Sequence, residues 1–226
     1  MIKIKNLTKK YGKTIANRDI NLVIEQGKVT ILLGPNGSGK TTLLKSICGL
    51  HTLTEGKITI GDFDSEDLRA KELLAYSPER SVLYDYLTLE EHLKFILKGY
   101  DREDNIKNID PLIEKFGMSE MKKVLTKNMS NGQKQKTSIM MALIIDTPII
   151  IFDEPFNGLD PESVEIFKEM LTSLAKKGKT IILSTHLLDL AKTIADEYKI
   201  IRNSTIVKEC GNDPDILNIY LESGKD

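Results

Sequence analysis

The run Gly34-Pro35-Asn36-Gly37-Ser38-Gly39-Lys40-Thr41 places three glycines, a lysine and two hydroxyls within one short stretch, directly after the apolar segment 29–33. The spacing GxxxxGK[ST] suits a backbone that curls until successive N–H groups converge on phosphate oxygens. The positive end of a helix beginning near Lys40 adds to that field. Lys40 would hold β- and γ-phosphates and Thr41 would ligate Mg2+, so every residue from Gly34 to Thr42 is a candidate contact, Thr42 included. A glycine-rich turn with a stray lysine is the plain alternative, but strand, spacing and following helix all agree with the phosphate reading.

A phosphate loop of this kind needs an acidic partner at the end of a neighbouring buried strand. "PIIIFDEP" supplies one: its apolar residues deliver Asp153 to the carboxyl end of a strand, where ligands bind in open α/β sheets. Asp153 would hold Mg2+ through water. Glu154, pointing differently, would polarise the water that attacks the γ-phosphate, as general base or orienting acceptor. Read alone, the same pair could cap the next turn.

A third stretch, "NMSNGQKQK" at 128–136, brings no acid, base, metal ligand or nucleophile. It is the polar start of a helix whose apolar run follows at 139–145, with Ser130 as N-cap. It presents Ser130, Gly132 and backbone N–H groups to something outside itself.

The elements that must position these residues are legible from hydrophobic periodicity. Strands are expected over 2–4, 21–25, 29–33, 57–60, 74–76, 149–152, 180–183, 198–202 and 205–208. Helices are expected over 40–48, 88–97 (with a Thr88/Glu91 capping box), 110–116, 132–145, 161–176 and 187–195. Strand and helix alternate at both ends, whereas about 79–145 is helical, so a helical lobe is inserted into an α/β core. The runs 29–33, 149–152 and 180–183 are near-continuously apolar, as parallel strands covered on both faces require.

Composition narrows the partners. The formal net charge of -1, with basic and acidic residues interleaved, gives no single-sign field for nucleic acid or an anionic bilayer. Cys48 and Cys210 fit neither a disulfide framework nor a metal site, which suggests reduced thiols in a cytosolic protein. "MIKIKNLTKKYGK" alternates apolar and basic residues and is not a signal peptide. The most apolar region, 139–152, falls short of the ~20 residues that span a bilayer.

Taken together, the chain resembles the nucleotide-binding subunit of ATP-binding-cassette (ABC) transporters along essentially its whole length. "MSNGQ" (Met129, Ser130, Asn131, Gly132, Gln133) resembles the family signature LSGGQ, "FNGLD" ending at Asp160 the D-loop, and "STH" ending at His186 the switch-histidine loop. Tyr11 in "KKYGK" sits where the family's adenine-stacking aromatic lies; alone it fits a packed strand residue equally well. His186, otherwise an ordinary helix-start histidine, would hydrogen-bond the γ-phosphate. Asp160 would act across the subunit interface and also cap the helix that begins at Pro161. Three departures stand out. Asn131 replaces the signature's first glycine, with asparagine's tolerance of left-handed backbone as the expected compensation. Asn157 replaces the usual D-loop serine. Glu79, ending "AYSPE", replaces the Gln that touches Mg2+ and the attacking water.

The resemblance implies an α/β fold: a P-loop NTPase core with a mostly parallel central sheet (1–78 and 146–226), an antiparallel β subdomain and an inserted helical subdomain (79–145), all one ABC ATPase domain. It also implies an ATPase using ATP and Mg2+. Two copies, or this chain and a homologue, would sandwich ATP, each signature helix start completing the cage around the phosphate held by the opposite subunit's P-loop. A separate transmembrane permease would dock near 79–87, where "RSVLYDYLT" offers apolar and aromatic residues, unless these only pack the lobe's hinge. The expected place is cytoplasmic, peripheral on the inner face of the cell membrane, without nucleic acid and without direct insertion. The chain stops soon after Tyr220, without the C-terminal regulatory domain of many import ATPases, and looks most like the separate ATPase subunits of bacterial drug, lantibiotic and peptide exporters. The alternatives are a soluble ABC ATPase of an assembly system, such as the iron–sulfur cluster type, and a nucleotide-gated module with little turnover.

Overall fold

The computed structural model describes residues 1–224. Its first layer is a four-stranded antiparallel sheet of β1 (Ile2–Tyr11), β2 (Thr14–Ile24), β4 (Glu55–Ile60) and β5 (Phe63–Asp64), ordered β2-β1-β4-β5. Alternation at the start of β1 makes it one-sided there: Ile2 and Ile4 are buried while Lys3 and Lys5 face water, and the ladder shifts register beyond Lys5. Both β1 and β2 extend well beyond the segments 2–4 and 21–25, because the hairpin at Gly12 keeps them paired to Tyr11 and Thr14.

The second layer is a six-stranded sheet of β3 (Val29–Leu33), β6 (Leu74–Ser77), β7 (Ile149–Asp153), β8 (Thr180–Thr185), β9 (Glu197–Arg202) and β10 (Thr205–Gly211). The order is β10-β9-β3-β8-β7-β6, parallel throughout except for β10. Every residue of β3, β7 and β8 is buried, which explains their unbroken apolar runs.

Two cores lie on opposite faces of this sheet, and β7 feeds both by alternation. Ile149 and Ile151 pack with the antiparallel sheet and α1 (Lys40–Ile47); Ile150 and Phe152 pack with the helices on the other side. Phe152 meets Phe167 edge-on with ring centroids 5.0 Å apart, and Phe156 meets Phe167 at 5.8 Å. Each such pair is worth about 0.5–1.5 kcal/mol beyond area burial.

Between β6 and β7 the chain forms α3 (Leu89–Gly99), α4 (Ile109–Lys115), α5 (Asn131–Ile144) and three short 3-10 turns, with no strand among the described residues of this stretch. Leu89, Leu93 and Leu97 of α3 recur at one-turn spacing and are fully buried in the same core as Phe152. The Thr88/Glu91 capping box is present. The remaining helices are α2 (Leu68–Lys71), α6 (Pro161–Lys176), α7 (Leu188–Ala191) and α8 (Ile216–Glu222).

Three elements, α2, α8 and β5, carry too few periodic residues to be read from sequence. The helix expected over 187–195 shrinks to α7. No side chain caps its start, and Leu187 N–H is taken by the Thr185 hydroxyl at 3.0 Å.

Candidate active site

The loop after β3 closes over a cavity of about 310 Å3 whose wall includes Asn36, Gly37, Gly39, Lys40, Thr41, Thr42, Glu79 and Glu154. Two glycines make the loop possible. A Cβ on Gly34 would lie 2.4 Å from the Ile201 carbonyl oxygen, and Gly39, at φ +106°, would drive one to within 2.2 Å of the Ala16 oxygen. Asn17, buried in β2, ties this turn down by donating from its amide to the Gly39 oxygen at 3.1 Å.

Lys40 is almost wholly buried, and its ammonium donates to the carbonyls of Gly34 (2.7 Å) and Pro35 (3.2 Å). It also lies 3.2 Å from Glu154 Oε1. That oxygen accepts no hydrogen bond among the described residues; the other, Oε2, lies 3.0 Å from His186 Nδ1. Lys40, Glu154 and His186 thus converge from α1 and from the ends of β7 and β8, the edge where α/β sheets bind ligands. Glu154 reaches this position only by taking a left-handed backbone, φ +46°.

Asp153, 1% exposed, accepts from the Ser184 hydroxyl at 2.6 Å and from the Tyr76 hydroxyl at 3.4 Å. Burial together with the Asp153 charge pushes the Tyr76 phenol well above its usual range, so Tyr76 stays a donor. Ser184 opens the "STH" stretch and Tyr76 lies in "AYSPE", but neither was given a role at Asp153, because only the fold sets them beside it.

The residues fit a nucleoside triphosphate with Mg2+. Ser38 Oγ is buried in the loop without a partner among the described residues, an orphan that a phosphate oxygen would satisfy. No group of three His, Cys, Asp or Glu that could hold a metal exists among the described residues. A cation here must take most of its ligands from phosphate and water, as Mg2+ does. Thr41, Asp153 and Glu79 are the chain's own candidates; Glu79 is exposed and forms part of the cavity wall.

Tyr11 does not reach this wall, which at that end is made by Thr14, Ile15 and Ala16. Its half-exposed ring meets His51 edge-on at 5.8 Å, with the Lys9 ammonium 5.0 Å from its centroid.

The start of α5 lies apart from the cavity: Ser130, Gly132 and Gln133 contribute nothing to its wall. Ser130 caps the helix by accepting from Gln133 N–H at 3.2 Å, and the Gln133 side chain accepts from Ser130 N–H at 2.9 Å. This capping box leaves the N–H groups of Asn131 and Gly132 with no acceptor among the described residues. Asn131 is the first helical residue and has no left-handed angle, so the tolerance expected of asparagine there is not called upon. Gly132 is required for a different reason: a Cβ would stand 2.7 Å from the Gly158 carbonyl oxygen.

Asp160 caps α6 by accepting from Ser163 N–H at 2.9 Å and pairs with Lys136 of α5 at 2.8 Å. The Lys136 bond, with those from Ser163, holds its carboxyl well below the usual carboxylate range. A second cavity, of about 340 Å3, opens between Glu79, Asn131, Lys134, Asn157 and Gly158, so Glu79 is common to both.

Fold and site define a P-loop nucleoside triphosphatase. The family model for ABC transporters matches residues 17–157. Over 211 residues the chain is 34% identical to the lantibiotic transport ATP-binding protein SrtF of Streptococcus pyogenes, covering 92% of this chain and 90% of SrtF. It is 32% identical over 234 residues to the methionine import ATP-binding protein MetN of Clostridioides difficile, covering 100% of this chain and 72% of MetN. Among solved structures it is similar to the dimeric ATP-binding cassette MJ0796 in a post-hydrolysis state with ADP and Pi. That likeness has a TM-score of 0.82 at 27% identity, covering 94% of this chain and 99% of the cassette. The chain belongs to the ABC transporter family: it is an ATP-binding subunit of a transporter, an ATPase that works with ATP and Mg2+.

Proposed function

We propose that the chain powers export through a separate transmembrane permease, closing as a head-to-tail pair around two ATP molecules. The observation that carries the pairing is the division of the phosphate cage. The P-loop cavity holds Lys40 and Glu154, whereas the unsatisfied N–H groups of Asn131 and Gly132 lie on another wall. A second subunit would supply the missing wall, and the dimeric MJ0796 cassette supports such a pair.

In this reading the loop from Gly34 to Thr42 and Lys40 hold the triphosphate, and Tyr11 borders the base. Thr41, Asp153 and Glu79 hold Mg2+, which when bound spreads the charge of the β- and γ-oxygens. Glu154 Oε1, lacking a hydrogen bond among the described residues, accepts from the attacking water, while His186 holds Oε2 and senses the γ-phosphate. Ser130, Gly132 and Gln133 close on the opposite nucleotide, and Asp160 ties that helix start to α6 through Lys136. ATP favours the closed pair because only that state uses both walls.

The helical segment 79–145 carries the movement to the permease. Val82 (79% exposed), Tyr86 (75%), Tyr84 and Phe95 form an apolar surface beside Glu79 that a membrane partner can cover. No helix among the described residues is long and apolar enough to cross a membrane, so attachment at the inner face of the cell membrane would come through that partner. The likeness to SrtF, named for lantibiotic transport, is compatible with export, whereas MetN is named for import; a neighbouring gene encoding a solute-binding import system would contradict export, and a soluble scaffold in place of a permease would favour an assembly role.

Glu154→Gln should bind ATP, hydrolyse it slowly and run as a dimer in MgATP on gel filtration with light scattering. A monomer at saturating MgATP would sink the sandwich. Lys40→Ala should lose nucleotide affinity, and retained binding would contradict the assigned phosphate site.

A further inference from the structure

Ser184 sits at the end of β8, fully buried and directly across the parallel ladder from Asp153. Its one hydroxyl makes two bonds of opposite sense. The proton goes to Asp153 Oδ1 at 2.6 Å, in the short range of charge-assisted O–H···O bonds, and the oxygen accepts Glu154 N–H at 2.9 Å. The same N–H also reaches the Ser184 carbonyl at 3.2 Å, continuing the ladder, so the hydroxyl bond is additional to what the sheet requires.

We propose that Ser184 is a positioning residue for ATP hydrolysis, a single hydroxyl that fixes the metal-side carboxylate of Asp153 and the left-handed turn at Glu154 relative to each other. This rests on the roles assigned above to Asp153 and Glu154. Donation to Oδ1 turns the carboxylate, leaving Oδ2 with only the long Tyr76 bond of 3.4 Å and therefore available to a metal-bound water. Acceptance from Glu154 N–H supports the backbone where φ is +46° and so aims the side chain between Lys40 and His186. A residue with the same shape and no hydroxyl would leave Asp153 free to rotate and Glu154 without its second acceptor.

The experiment compares Ser184→Ala and Ser184→Thr with wild type by ATPase kinetics, by Mg2+ titration of fluorescent ATP-analogue binding and by circular-dichroism melting. Ser184→Ala should keep Mg2+-free nucleotide affinity while kcat and Mg2+ affinity each fall about tenfold or more, the usual loss when an outer partner of a metal ligand is removed. Ser184→Thr, which keeps the hydroxyl, should restore both. A folded Ser184→Ala with wild-type kcat and Mg2+ affinity overturns the proposal, as does a folded Ser184→Thr as impaired as the alanine variant. If both melt early, Ser184→Cys is measured instead, and unchanged Mg2+ affinity there overturns it as well. Glu154→Gln is the parallel control: hydrolysis at the wild-type rate in that variant defeats the site assignment itself, whereas hydrolysis slowed there but intact in Ser184→Ala defeats only the role of Ser184.

Discussion

Glu79 is the residue at which this chain departs furthest from its family's pattern, and its position gives the departure a physical meaning. It is exposed, it has no hydrogen bond among the described residues, and it borders both the phosphate cavity and the one beside Asn131. A carboxylate there binds a hard cation better than an amide but adds negative charge facing the terminal phosphate. Glu79→Gln should therefore weaken Mg2+ binding by about tenfold while easing nucleotide binding without metal. Unchanged Mg2+ dependence and turnover, alone and with the permease, would remove Glu79 from the metal site.

At the scale of elements, the N-terminus of α5 and the segment Phe156 to Asp160 behave as one joint. Gly132 lets the two backbones touch, and the Lys136–Asp160 pair closes the other side. Gly132→Ala should cost about 1–3 kcal/mol in urea unfolding, the usual penalty of overpacking, and should slow ATP hydrolysis. Asn131→Gly, at an ordinary helical position, should leave ATP-driven dimerisation intact, which gel filtration checks. A Gly132→Ala protein as stable as wild type would show that the joint opens freely. The phosphate loop and the acids at 153–154 could be read from sequence because their chemistry lies within a few consecutive residues. The capping residues Ser130, Thr88 and Asp160 were equally local. Ser184 beside Asp153, Asn17 beside Gly39 and Lys136 beside Asp160 could not be read this way, because each pairing depends on sheet register or helix packing between segments 22 or more residues apart.

For the whole molecule, the decisive fact is that α3 and α5 have no core of their own. Their buried leucines, isoleucines and methionines belong to the core that also holds Ile150, Phe152 and Leu183 beneath the active site. A shift at the nucleotide can therefore reach the apolar surface around Val82 and Tyr86 through packed side chains. That surface is itself anchored: His92, fully buried, receives Tyr84 N–H at 2.9 Å, and Lys127 lies over the Tyr86 ring at 4.5 Å. Val82→Asp with Tyr86→Asp should leave the ATPase rate of the isolated subunit within about twofold, because exposed substitutions rarely disturb folding. The same pair should abolish transport by the assembled transporter. Normal transport by the double variant would move the docking surface elsewhere.

The left-handed backbone at Glu154 has a consequence for how such a chain drifts. A glutamate at φ +46° is held against its own conformational preference, whereas glycine or asparagine would sit there at ease. Replacing the proposed base by either residue relieves that backbone strain but leaves the buried Lys40 ammonium without its carboxylate, so stability pulls both ways at this position. A copy of this subunit with glycine or asparagine at this position would have an easier backbone and a Lys40 that only a bound phosphate can neutralise. Glu154 is thus kept by its pairing with Lys40 and His186 and by the need for turnover, against the preference of its own backbone.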